Sequence, residues 1–306
     1  MDLPFDYCIP KFERFDISAE SLDLSEVHLR LRGDGLTILH QNESQDWFRF
    51  KNFVELLKLA LPKVKGTLNC EFILNMYEGV YESKNQRFCY TAKPNSRQIL
   101  IPDSHCFETA RKVSTLPDRP FSEKKKGAIF VGSDTGKRHE DGWTMRSLVS
   151  ATYKDSPLVY SKLTFLDVDT EKRLAGKVSV DEIYSPSLGL KEQLEYQIIL
   201  NIDGNSTSWE RLIWAMASNS LCVYVKPFDG ENMVSWYYPV IEALGLVPTI
   251  EYDKLESFIK NNDFTSEIWQ AENNAQKQFG QFLASIDVQS SFLAKVLEQY
   301  NDFYNS

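Results

Sequence analysis

The sequence contains no apolar run long enough to cross a bilayer, and its first ten residues have neither a basic leader nor an apolar core. Neither a membrane span nor a secretory signal is therefore expected, and the chain should remain in the cytoplasm where it is made. It has no surplus of positive charge either. Its 34 lysines and arginines face 43 acidic residues, for a net charge of −9, which argues against a protein that wraps nucleic acid through a general basic surface. A local cationic pocket stays compatible with that balance. Close cysteine pairs are absent as well. Cys8, Cys70, Cys89, Cys106 and Cys222 are odd in number and irregularly spaced, which excludes a paired-cysteine zinc site and suits reduced thiols. Internal repeats and low-complexity tracts are missing. What is present is the 42% hydrophobic content of an ordinary globular chain, and 306 residues give room for two compact cores.

The most informative stretch is 196–225, YQIILNIDGNSTSWERLIWAMASNSLCVYV. Ile198-Ile199-Leu200-Asn201-Ile202 has the length and β-branched content of a buried strand. Asp203-Gly204-Asn205 reads as a tight turn, and Ser206, Thr207 and Ser208 supply candidate helix caps. Trp209, Leu212, Ile213, Met216 and Ala217 then recur at helical spacing, and 221–225 resumes as a strand. In a parallel crossover of this kind the helix start lies at the carboxyl edge of the sheet, with unpaired N–H groups and partial positive charge facing outward. A phosphate suits that place, and Arg211 would add a permanent cation with a planar donor fork. The bland alternative is a capped helix carrying a solvated arginine.

Asp203, Gly204, Ser206, Ser208, Arg211 and the valine-rich strand 221–225 together resemble the signature region of glycosyltransferase family 90. That family includes fungal capsule-associated xylosyltransferases, animal protein O-glucosyltransferases and bacterial lipopolysaccharide-modifying enzymes. The resemblance extends from about Cys70 to the region of Ile259. It implies an α/β, GT-B-like architecture in which two Rossmann-like domains face a cleft. It also implies transfer of a sugar from a nucleoside diphosphate, most simply a UDP-sugar, to a hydroxyl with inversion at the anomeric carbon. Animal members are secretory and disulfide-bonded, so this chain looks like a bacterial-type member.

Earlier in the chain, Val27-His28-Leu29-Arg30-Leu31 alternates as a half-buried strand turned by Gly33-Asp34-Gly35. Phe53, Leu56, Leu57, Leu59 and Ala60 give an amphipathic helix stopped near Pro62. Segments 70–76 and 98–101 read as strands. Between about 109 and 126 the composition turns to proline and charge, which places the interdomain connection there. Its run Lys124-Lys125-Lys126 reads as a solvated linker or, more sharply, as an attraction to an acidic membrane surface. The expected domains are 1–120 on the acceptor side, 121–265 for the sugar nucleotide, and two helices in 266–306 packing back across both. The first of these helices is expected to bury Ile268, Ala271, Ala275, Phe279 and Phe282, and the second Phe292, Val296 and Tyr300.

Strand 128–131 is followed by Gly132-Ser133-Asp134-Thr135-Gly136-Lys137-Arg138. The glycine spacing is one residue short of a phosphate loop, and Arg138 stands where Ser or Thr would bind magnesium, so a nucleotide triphosphatase is excluded. The segment instead resembles the family's strand followed by R-G-x-x-T-G, which implies donor contacts from Gly132, Ser133, Thr135 and Gly136, with Val131 in the arginine position. Arg146 on the next helix matches a further basic position, and a helix-surface salt bridge is its plain alternative. Segment 163–168 reads as a strand and 188–196 as a helix. After 225, Glu231 is the nearest match to an acidic residue that follows this strand in the family. Trp236-Tyr237-Tyr238 beyond it is a pattern commoner in cores than in sites.

A departing diphosphate needs its growing negative charge stabilised, and the attacking hydroxyl needs a base. Arg211 and the amides of 206–208 answer the first need without a metal or other cofactor. Asp167-Val168-Asp169 spells D-x-D after the strand expected at 163–168 and keeps a metal-dependent reading open. For the second need, the family's aspartate after a strand like I-N-V-R-D corresponds to Glu78 after Ile73-Leu74-Asn75-Met76-Tyr77. Asp103 is the backup base, with His105 beside it. The acceptor implied by the resemblance is a cell-surface glycan or lipid-linked saccharide, such as lipopolysaccharide core or capsule, reached by peripheral contact with the inner membrane face. A catalytically silent sugar-nucleotide-binding or scaffold protein is the alternative, motivated by Tyr77, Glu78 and Val131.

Overall fold

The computed structural model of the chain describes residues 12–13, 22, 25–41, 47–77, 85–94, 96–166, 168–207, 210–228 and 234–306, and for 47, 106, 168 and 169 the backbone only. The fold is α/β and divides into two compact units. The first comprises Met1–Phe107, Met233–Ala243 and Leu283–Ser306, and the second Glu108–Asn232 and Leu244–Phe282.

The first unit opens with the hairpin β1 (Glu26–Arg32) and β2 (Gly35–Gln41), turned at Gly33, whose φ of 61° lies in the left-handed region that glycine adopts without strain. Helix α1 (Trp47–Ala60) follows, then β3 (Asn69–Asn75), β4 (Phe88–Cys89) and β5 (Ile99–Leu100). The sheet order is β2-β1-β3-β4-β5. Strand β1 runs antiparallel to both neighbours, whereas β3, β4 and β5 are parallel. The alternation in β1 puts Val27, Leu29 and Leu31 in the core, while His28 and Arg30 on the other face reach Glu71. Phe50, Phe53, Leu56, Leu57 and Ala60 form the buried stripe of α1. This first sheet is therefore mixed, with parallel pairing only from β3 onward.

The second unit begins with α2 (Glu108–Val113), followed by β6 (Lys125–Gly132), α3 (Met145–Thr152), β7 (Val159–Leu163), α4 (Val168–Leu174), α5 (Val180–Ile183), α6 (Leu190–Gln193), β8 (Tyr196–Asn201), α7 (Glu210–Met216) and β9 (Leu221–Val225). The chain returns to the first unit for most of α8 (Tyr238–Leu244), then adds β10 (Thr249–Ile250), α9 (Leu255–Asn261) and α10 (Glu267–Ala284) to the second. It closes with α11 (Ile286–Asn305) in the first. The second sheet is parallel throughout, in the order β10-β9-β8-β6-β7. Strands β8 and β9 are buried almost end to end, as their unbroken apolar sequences require.

Several expectations change here. The units divide at Phe107/Glu108, at the start of the proline-rich stretch 109–126, and within that stretch α2 buries Ala110 and Val113, with Thr109 bonded to Glu210 at the start of α7. Lys124 is buried, not solvated. Its ammonium is paired with Asp118 and bonds Ser220 Oγ at 2.9 Å, which leaves Lys125 and Lys126 as the exposed members of the run. The strand expected at 163–168 is β7, shifted toward the N-terminus. As an edge strand it alternates buried Val159, Ser161 and Leu163 with half-exposed Tyr160 and Lys162. The helix expected over 188–196 shrinks to the single turn of α6.

Helix α10 turns inward only part of the expected face: Phe279 is buried and Phe282 half-buried, but Ile268 is 73% exposed and Ala271 and Ala275 are exposed too. The buried positions are Asn273, Gln276, Phe279, Gly280, Leu283 and Ala284. Gln276 bonds both the N–H and the carbonyl of Cys222, at 2.7 and 3.1 Å, so its amide completes β9 where the short β10 does not reach. Gly280 lies against α7 so closely that a Cβ would meet Ala217 N at 2.5 Å. On α11 the expected face is the buried one, with Phe292, Val296 and Tyr300 all in the core. Trp236, Tyr237 and Tyr238 are core residues of the first unit, and Trp236 lies on Phe292 at 4.5 Å.

Candidate functional site

In the second sheet the first strand in sequence, β6, lies between the second, β7, and the third, β8. The winding direction reverses between β6 and β8, and in open parallel sheets the crevice beyond the carboxyl ends at such a reversal is where ligands bind. Gly132 ends β6, and the loop after it carries Ser133, Thr135 and Gly136. The loop after β8 carries Asp203, Gly204, Ser206 and Thr207. Two segments seventy residues apart in the chain are thus brought together at the reversal.

Arg146 ties them together. Projecting from α3, its Nη1 donates to Ser133 O at 3.0 Å and Thr135 Oγ1 at 2.7 Å, and its Nε and Nη2 donate to the carbonyls of Ile202 and Asp203. The start of α3 is held in turn by a capping box of Thr144 and Ser147, with the Thr144 hydroxyl bonded to buried Asp134. Gly136 N donates to Asn205 Oδ1 at 3.1 Å. Gly204 leaves no space for a side chain, since a Cβ would stand 2.8 Å from Thr135 Oγ1 and 2.9 Å from Arg146 Nη2.

Arg211, in the first turn of α7, is partly exposed and turns toward the same loops. It donates from Nη2 to Val131 O at 2.6 Å and from Nη1 to Gln193 Oε1 at 3.2 Å, which uses two of its five N–H groups. Its guanidinium lies over the Phe130 ring, Cζ 4.8 Å from the centroid, and that of Arg146 lies 5.4 Å from the same ring. Among the described residues neither arginine makes an ion pair. Burial lowers both guanidinia to about 10, and for Arg211 the neighbouring charge of Arg146 adds to the effect. Both remain charged near neutral pH. The arrangement is a rigid, positively charged loop pair with unused donors, which suits a diphosphate or another compact anion.

The other expected residues fall out differently. Ser206 and Thr207 are buried, and the Ser206 hydroxyl donates to Thr207 O, so this serine serves its own turn. Arg146 has its donors committed to carbonyls and to the Thr135 hydroxyl and holds the loops in place. Ser208, Glu231 and Glu78 lie outside the described residues, as does Asp167. Val168 and Asp169 open α4, so the D-x-D spelling runs into a helix start and not along a strand end. Among the described residues no group of three or more His, Cys, Asp or Glu could hold a metal ion. In the first unit, Asp103 lies beyond β5, is 6% exposed, and accepts from His105 N at 3.2 Å, as a residue capping a turn does. Phe130, Asp134, Asn205 and Gln193 were not foreseen, because nothing in a strand's apolar run or a loop's polar run marks the residue that an arginine will meet across a sheet.

The chain matches no protein-family model and no curated protein. Among the described residues no helix is long and apolar enough to cross a membrane.

Proposed function

We propose that the second unit binds the diphosphate of a nucleoside-diphosphate sugar, most simply a UDP-sugar, and that the protein is an inverting glycosyltransferase of GT-B type. In this reading it resembles family 90, acts on a cell-surface glycan such as lipopolysaccharide core or capsule, and works at the cytoplasmic face of the membrane. One observation carries the reading: Arg211 is half-buried, makes no ion pair among the described residues and keeps uncommitted donors at the reversal of a parallel sheet.

In such a transfer the acceptor oxygen bonds to the anomeric carbon as the bond from that carbon to the diphosphate oxygen breaks. The acceptor proton passes to a carboxylate, and the leaving diphosphate gathers negative charge. Arg211 stabilises that charge where it grows, in a site with little water to reorganise. Arg146 keeps the two loops at fixed separation, so the donors stand ready before the substrate arrives. Glu78 is the first candidate for the base and Asp103 the second.

The test is a thermal-shift series with UDP, GDP, CMP, their sugars and the bare nucleosides. A ligand that binds only the folded state raises its melting temperature. A diphosphate should stabilise and its nucleoside should not, and Arg211→Ala should remove the difference. Equal stabilisation by UDP and uridine would contradict the reading. Slow hydrolysis of one sugar nucleotide, lost in Glu78→Gln with UDP binding retained, would then assign the base. Loss in Asp103→Asn instead would move that role.

A further inference from the structure

We infer that Gln193 is a positioning residue of the anion site: its neutral amide holds the Arg211 guanidinium in place without neutralising it, which leaves the charge for a ligand. Gln193 lies on the single turn of α6, where Gln193 N donates to Gly189 O at 3.2 Å and Leu194 N to Leu190 O at 2.9 Å. It is an inward residue of that turn, 7% exposed, whereas Lys191 and Glu192 before it face solvent and Glu195 after it is half-buried. Its Nε2 donates to Leu188 O at 3.0 Å, and its Oε1 accepts from Arg211 Nη1 at 3.2 Å. A carbonyl only accepts and a guanidinium only donates, so one orientation of the amide serves both partners and the flipped one serves neither.

The rest of the seat is uncharged as well. Val131 O accepts from Arg211 Nη2, the Phe130 ring lies 4.8 Å from Cζ and the Trp214 ring 5.7 Å from it. Gly132 closes one side, since a Cβ there would stand 3.3 Å from Nη2. Every group that holds the guanidinium is therefore neutral. A carboxylate differs from the Gln193 amide by one atom, and it would accept the same bond with a charge behind it, at roughly twice the strength. For the fold alone, a carboxylate is the better partner of an arginine. For an anion site the amide is better, because a neutralised guanidinium has little left to offer a second anion. The chain has glutamate at 192 and 195, and glutamine at the position between them that reaches Arg211. This inference rests on the reading that Arg211 meets an anion, and adds what keeps it able to do so.

The experiment compares Gln193→Glu with Gln193→Met in the full chain by isothermal titration of UDP and of inorganic pyrophosphate. A residue that serves the fold alone should tolerate glutamate, which keeps the shape and the acceptor, better than methionine, which loses both bonds. The inference requires the reverse order. Gln193→Met should weaken both ligands about threefold through looser placement of Arg211, and Gln193→Glu about thirtyfold or more through loss of its charge. Binding by Gln193→Glu as tight as that by Gln193→Met overturns the inference. A ligand-free measurement checks the contact itself. Gln193→Glu should lower the melting temperature several degrees more in an Arg211→Met background than in the parent, because the new carboxylate is then enclosed without a countercharge. Equal shifts in the two backgrounds also overturn the inference. The diphosphate reading fails separately: pyrophosphate binding in the expected order, with UDP no tighter, keeps the role of Gln193 and removes the nucleotide. UDP binding indifferent to Gln193→Glu does the opposite, and binding of neither ligand removes both.

Discussion

The two ends of the second sheet handle buried positive charge in opposite ways. At the amino end Lys124 has its ammonium wholly enclosed, and the protein answers it with Asp118, Ser220 Oγ and the Leu194 carbonyl. At the carboxyl end Arg146 and Arg211 lie side by side, both half-buried, and among the described residues neither makes an ion pair, although Asp203 and Asp134 stand near enough to Arg146 to favour its charge. A buried charge left unpaired costs far more than a surface one, so an enclosed cation is normally matched within the fold. The amino end obeys that rule and is structural. The carboxyl end departs from it in a crevice where ligands bind, and an anion from outside would restore the balance.

That contrast fixes an order of effects on stability. Lys124→Met should be the most damaging, at about 3–5 kcal/mol in urea denaturation, because it leaves the enclosed Asp118 carboxylate without its countercharge. A loss under about 1 kcal/mol would show that water reaches Asp118 and that the amino end is not the sealed pair it is drawn to be. Arg146→Met should cost less, about 2 kcal/mol. It frees the carbonyls of Ser133, Ile202 and Asp203 from their donor, but it also removes a desolvated charge. Its loops should loosen as well, seen as faster amide exchange at Gly136, whose N–H bonds Asn205 across the pair.

The contrast was only half legible in the sequence. The strand-turn-helix-strand order of 196–225 could be read because β8 and β9 are buried on both faces and so appear as unbroken apolar runs. Arg211 and Arg146 could be picked out by type and position. What could not be read is strand order: nothing local in 128–136 or 198–208 says that these segments are neighbours, since that follows from how the crossovers wind. The burial of Lys124 is not legible because three consecutive lysines look alike until Asp118, six residues back, is found folded over one of them. The inward face of α10 is only partly legible for a related reason. Apolar spacing favoured Ile268 and Ala271, whereas the packing is decided by Gly280 against α7 and by Gln276 serving the backbone of β9. A polar residue that repairs a sheet edge carries no hydrophobic signal.

Charge at the carboxyl end can also be removed by titration. Burial holds both guanidinia well below the ordinary arginine range, at about 10. Affinity for UDP should therefore hold level between about pH 7.5 and pH 9 and fall once pH passes about 10. Stability responds in the other direction. A folded pKa below the unfolded one means that the fold is penalised for holding the charge at low pH, and this penalty relaxes as pH climbs from about 10 toward the ordinary arginine range. Isothermal titration of UDP at stepped pH reads the first effect. A flat affinity through pH 10.5 would show that the diphosphate does not rely on these arginines.

The smallest stability effect should come from the residue that matters most to the proposed chemistry. Arg211→Met keeps an unbranched side chain over Phe130 and removes a desolvated charge that repels Arg146, at the loss of bonds to Val131 O and Gln193 Oε1. Those terms oppose each other, so the variant should fall within about 1 kcal/mol of the parent in the absence of ligand. Addition of UDP should then separate them, raising the melting temperature of the parent and leaving that of the variant where it was. A residue placed for the fold alone would behave like Lys124, with a large cost and no ligand dependence. If Arg211→Met proves as damaging as Lys124→Met, the two ends of the sheet do not differ in kind, and the carboxyl end loses its claim to be a site.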